Sequence, residues 1–66
     1  MAKLVALYFT NRGVLRLVDD NHIPHGAIRT GRQVHDHNST TLYEEFVTGP
    51  DKEVDAFLAS IGLKRP

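Results

Sequence analysis

Four histidines, His22, His25, His35 and His37, lie between Asn21 and Asn38. Imidazole nitrogen is a ligand for zinc, nickel and copper. On a strand, His35-x-His37 would place both rings on one face, about 6.6 Å apart along the backbone. His22-x-x-His25 brackets Pro24, and Asp19, Asp20 and Asp36 stand close by in sequence. One reading is therefore a histidine-rich metal-binding protein, with His22, His25, His35 and His37 holding zinc or another transition metal in a structural or sensing site. The spacing matches no closed zinc pattern, and cysteine is absent. Without a metal, clustered imidazoles titrating near pH 6.5 would make binding pH-dependent. The plainest alternative is a polar stretch of solvated histidines, which needs no cofactor.

Asn21-His22-Ile23-Pro24-His25 resembles the Asp-His-Ile-x-Pro-His stretch of HNH nucleases. That resemblance implies a metal-assisted nuclease with His22 as general base. The chain departs from the pattern in several ways. Asn21 replaces the aspartate, and the residue between isoleucine and proline is missing. There is no cysteine pair, and the C-terminal segment has no histidine. Gly26 to Gln33 repeats the glycine spacing of a P-loop, but Arg32-Gln33 stands where that motif needs Lys-Ser/Thr. Arg29 and Arg32 could instead hold a carboxylate or phosphate of a partner, since guanidinium pairs bidentately, with solvated arginines as the more frequent outcome. Nucleophilic catalysis has little to draw on, since the serines are only Ser39 and Ser60.

The chain has 66 residues, enough for a single small domain spanning 1–66. A domain of this size buries only about 60% of the surface its unfolded chain exposes. Disulfides are unavailable to it, so a metal, a partner or a regular core must supply the rest of its stability. Eight basic and eight acidic residues give zero net charge. Phosphate neutralisation dominates non-specific nucleic-acid binding, which makes a balanced chain a poor candidate for it. The balance is uneven, with +3 over residues 1–32 and −3 over 33–66. Such a split favours self-association or a charged partner surface. There is no secretory signal pattern and no membrane-length apolar run, so a cytoplasmic location is expected.

The elements that must position these groups follow from periodicity. Lys3–Thr10 and Val14–Val18 alternate as strands, with Asn11-Arg12-Gly13 as the turn of an N-terminal hairpin. Matching the apolar faces predicts Phe9 opposite Leu15 and Leu7 opposite Leu17. Ile23-Pro24-His25-Gly26 suits a turn. Ala27–His37 reads as one irregular strand or two pieces, interrupted by Gly31. Thr41–Val47 reads as a strand, although Thr41-x-x-Glu44 could open a short helix. Pro50–Ile61 carries Val54, Phe57, Leu58 and Ile61 at helical spacing, ending at Gly62. The expected fold is α+β: a small antiparallel sheet of three or four strands (hairpin 3–10/14–18) with one C-terminal helix (50–61) on one face. Its expected core is Val5, Leu7, Phe9, Leu15, Leu17, Phe46, Val54, Phe57, Leu58 and Ile61.

The second sheet face would then expose Leu4, Tyr8 and Val18 as a dimer or partner surface. Aromatic and arginine side chains dominate binding hot spots. These considerations predict a non-enzymatic protein-binding module with Tyr8, Arg16, Arg29, Arg32 and Tyr43 as contact residues. A small phage- or mobile-element-type inhibitor or a regulatory subunit fits the size. Its partner would be another protein or a second copy in a homodimer.

Overall fold

The computed structural model describes residues 3–35 and 40–64. Four strands and one helix follow in order: β1 Leu4–Phe9, β2 Val14–Asp19, β3 Ile28–His35, β4 Leu42–Thr48 and α1 Asp51–Ser60. A single 3-10 turn, Asp20–His22, follows β2. The strands form one sheet in the order β2-β1-β4-β3. Both hairpin pairs are antiparallel, but β1 and β4 meet in parallel, which makes the sheet mixed. Thr41-x-x-Glu44 does not open a helix, and the β-branched and aromatic residues of Leu42–Thr48 form a strand instead.

The hairpin register differs by one residue from the sequence expectation. Phe9 pairs with Val14, Tyr8 with Leu15 and Leu7 with Arg16. The connection is therefore four residues, Thr10–Gly13. Gly13 takes a φ of 65° and donates its N–H to the Phe9 carbonyl at 2.8 Å. Opposed residues of an antiparallel pair share a face. Ala6, Tyr8, Leu15 and Leu17 thus stand on one face, with Val5, Leu7, Arg16 and Val18 on the other. Matching apolar faces failed as a guide to register because both faces of β1 are covered. Val5, Ala6 and Leu7 are buried in succession.

The helix packs on the Tyr8 face. Val54 and Leu58 close over Val47, with Ile28, Tyr8 and Phe57 around them. Tyr8 is therefore beneath α1 and does not belong to an open second face. Among the residues expected in the core, Val5, Leu7, Val54 and Leu58 are buried. Phe9, Leu17, Phe46, Phe57 and Ile61 are only partly covered, and Leu15 is 41% exposed. Ala6 and Val47 are core residues that sequence reasoning left out. The helix ends as its sequence predicts. Gly62 has a φ of 79° and donates to the Ala59 carbonyl, while the Leu63 N–H reaches the Leu58 carbonyl at 2.8 Å. These are the two bonds of a Schellman cap.

Val5 and Leu7 point away from α1 yet are 2% and 1% exposed. The segment Asp20–Ala27 leaves the outer strand β2 beside Leu4 and enters the opposite outer strand β3 beside Val47. It must cross the sheet, and the burial of Val5 and Leu7 assigns the crossing to their face. The passage is then right-handed, the hand such connections take. Its turn lies at Pro24–Ala27, one residue later than expected. The Ala27 N–H bonds the Pro24 carbonyl, and Gly26 supplies a φ of 86°.

Candidate protein-binding surface

Three polar side chains on the helix-covered face, Thr30, Arg32 and Glu45, form one connected network. Glu45 lies on the central strand β4 and its side chain is only 5% exposed. Its Oε1 accepts from the Thr30 hydroxyl at 2.9 Å and from Arg32 Nε at 2.8 Å, with Arg32 Nη2 also at 2.8 Å. The Arg32 guanidinium lies 5.6 Å from the Phe57 ring centroid, and Phe57 stacks on Tyr8 at 5.1 Å. The hydrogen bond to Glu45 raises the pKa of Arg32 above its ordinary value. A break in the β3–β4 register makes this geometry possible. Four steps along β3, Arg29 to Gln33, match two along β4, Phe46 to Glu44. The unmatched residues are Thr30, Gly31 and Arg32, and Gly31 has a φ of 80°. The bulge lets both Thr30 and Arg32 reach one carboxylate.

The five expected contact residues do not form one patch. Tyr8, Arg32 and Tyr43 stand on the helix-covered face, Arg16 and Arg29 on the other. Arg29 binds Glu44 at 2.8 Å, and Lys3 approaches the same oxygen at 3.7 Å. Tyr8 and Tyr43 are half-buried, and Arg32 is engaged by Glu45 although its side chain remains 46% exposed. Arg16 is exposed and makes no ion pair among the described residues.

The histidines are likewise separated. His22 Nδ1 lies 3.5 Å from Asp19 beside the 3-10 turn. His25 is exposed in the Pro24–Ala27 turn, and His35 ends β3 opposite Leu42. His37 and Asp36 lie outside the described residues. Among the described residues, no three histidine or acidic groups come together as a metal site. The Gly26–Gln33 stretch forms the start of β3 with its bulge, not a loop leading into a helix. A groove of about 510 Å³ runs between β3 and the end of α1, lined by Ile28, Thr30, Leu58, Leu63 and Lys64 among others. Thr30 is already engaged by Glu45, so it presents no free hydroxyl there.

The surface that sequence reasoning missed is an edge. A sheet of four strands has two outer strands, and here they differ. The β3 edge is broken by its bulge and a left-handed glycine, features that blunt strand pairing. The β2 edge, Val14-Leu15-Arg16-Leu17-Val18-Asp19, has no bulge, proline or glycine. The Asp20 N–H bonds the Lys3 carbonyl at 2.8 Å, so Lys3 and Asp20 form a hydrogen-bonded pair. Alternation along an antiparallel ladder then turns Val14, Arg16 and Val18 inward toward β1. Leu15, Leu17 and Asp19 present their N–H and C=O groups outward. Leu4, Val14 and Leu15, each 41% exposed, flank this edge. The sequence signal was an uninterrupted strand-forming run, but only the strand order shows that it is an outer strand. No family model, curated protein or solved structure matches the chain. Among the described residues, no helix is long and apolar enough to cross a membrane.

Proposed function

We propose that this chain is a non-enzymatic protein-binding module, acting as a small inhibitor or regulatory subunit. It receives an extended segment of its partner along β2. The supporting observation is the unbroken β2 edge, with Leu15 exposed on it and Leu4 exposed beside it on β1, set against the interrupted β3 edge. Strand addition draws affinity from backbone hydrogen bonds and specificity from alternate side chains. Leu15, Leu17 and Asp19 offer the bonds; Leu4, Leu15 and Leu17 offer apolar contacts on the α1 side.

Leu17→Pro tests this reading. Proline removes an N–H that points away from β1, so it spares the internal ladder. Proteins captured from extracts of the source cells by the unaltered chain should be lost by a Leu17→Pro bait of equal thermal stability. Equal capture by both baits, or none by either, would overturn the proposal.

A further inference from the structure

The edge strand carries a statement about its partner. Resting on the reading above, we infer that the occupant of the β2 edge is a second copy of this chain, joined in antiparallel register about Leu17. The two sheets become one of eight strands.

Symmetry limits the choices. A two-fold axis perpendicular to the sheet keeps each residue on its own face, so it must pass through a residue of β2. An axis at Arg16 sets two arginines directly opposite each other, which is unfavourable. An axis at Val18 runs the Asp20–His22 turn of each copy against the partner strand. An axis at Leu17 takes the two arginines out of direct opposition and keeps the turn off the partner strand. Leu17 then faces the partner's Leu17, and Leu15 faces the partner's Asp19. All three outward-facing residues of each copy are used, giving six backbone hydrogen bonds by alternation. Arg16 lies beside the partner's Val18, with the partner's Asp20 and the partner's Arg16 each one diagonal step away. Neither Arg16 nor Asp20 has an ion pair among the described residues, and the partner's Asp20 offers Arg16 an opposite charge at that step. On the α1 side, Leu4, Leu15 and Leu17 of both copies make one apolar floor between two helices.

Two further facts support a closed pair. Zero net charge adds no repulsion between copies. The bulged β3 edge stops the sheet from continuing, so pairing ends at two copies instead of a fibre. A six-residue strand and its leucines bury less than the roughly 1,200 Å² at which stable interfaces begin. The dimer should therefore exchange, with a dissociation constant in the micromolar range.

Sedimentation velocity from about 1 μM to 1 mM should show the mass rising from 7.4 kDa toward twice that value. Leu17→Pro should hold it at 7.4 kDa while keeping its far-ultraviolet circular dichroism. A second measurement does not depend on that variant folding. The chain has no cysteine, so single-cysteine variants report register directly. Leu17→Cys should form a disulfide-linked dimer under mild oxidation, its Cα atoms being about 5.5 Å apart across the axis. Arg16→Cys, offset by two residues at about 8 Å, should link at least tenfold more slowly. A chain monomeric throughout the concentration range overturns this inference, and the capture experiment then decides the wider reading separately. A dimer that survives in folded Leu17→Pro, or that links faster through position 16, also overturns it.

Discussion

Removing the arginine of the Arg32–Glu45 pair should be far more damaging than removing the acid. The reason is unequal burial. The Glu45 side chain is 5% exposed, whereas that of Arg32 is 46% exposed. In Glu45→Gln, the guanidinium can swing into water, and Thr30 keeps an amide oxygen to donate to. That change should cost about 1 kcal/mol, close to the value of a surface ion pair. In Arg32→Met, a carboxylate stays buried with only the Thr30 hydroxyl as donor. Breaking a fully buried pair from one side costs about 3–5 kcal/mol. The retained hydroxyl and the half-exposed arginine reduce this to roughly 2–3 kcal/mol. In a domain of this size that lowers Tm by roughly 10–20 °C. Methionine keeps a stem against Phe57, so little of the loss comes from packing.

Urea titrations followed by circular dichroism measure both variants. Glu45→Gln costing as much as Arg32→Met would refute the reasoning.

Gly49 has a φ of 150°, and a Cβ there would collide with the Thr10 hydroxyl, a buried group without a hydrogen-bond partner among the described residues. Gly49→Ala should lose about 2–3 kcal/mol in a urea melt, against about 1 kcal/mol for Gly26→Ala, where the space around the new methyl is open. Leu58→Ala should cost about 2–4 kcal/mol because the side chain is buried beside Val47 and Val54. Leu15→Ala, at an exposed position, should change the monomer's melt by less than about 1 kcal/mol while weakening capture of a partner.

How much of this was legible in the residues depends on the range of each cause. The helix and its end were readable because every signal is local: Val54, Phe57 and Leu58 on one face, then Gly62 and Leu63. The strands were readable, and so was the α+β class. The hairpin register was not, since it depends on what covers each face of β1. Val5 and Leu7 looked like residues awaiting the helix, but Asp20–Ala27 crosses over them and α1 takes Tyr8. The parallel pairing of β1 with β4 joins segments from opposite halves of the chain, and no spacing encodes it. The Thr30–Arg32–Glu45 network was illegible for a related reason. It needs a bulge at Gly31 and a partner strand thirteen residues away from Arg32. Arginine and tyrosine looked like contact anchors because their types are common in interfaces. Tyr8 and Arg32 also pack on Phe57, Tyr8 half-buried and Arg32 still half-exposed.

That double covering bears on where a small sheet protein can bind. The helix occupies one face of the central strands, and the crossing segment occupies the other. What is left for a partner of any size is the perimeter. One side of it is spoiled for strand pairing by the bulge that completes the Glu45 network, so the feature that satisfies a buried carboxylate also blunts an edge. The other side, β2, keeps three outward-facing residues, with exposed Leu15 on it and exposed Leu4 beside it. A domain this thin in buried side chains gains most from extending its sheet there. The same bonds that recruit a second strand also shield the hairpin ladder, so binding and stability should rise together with concentration.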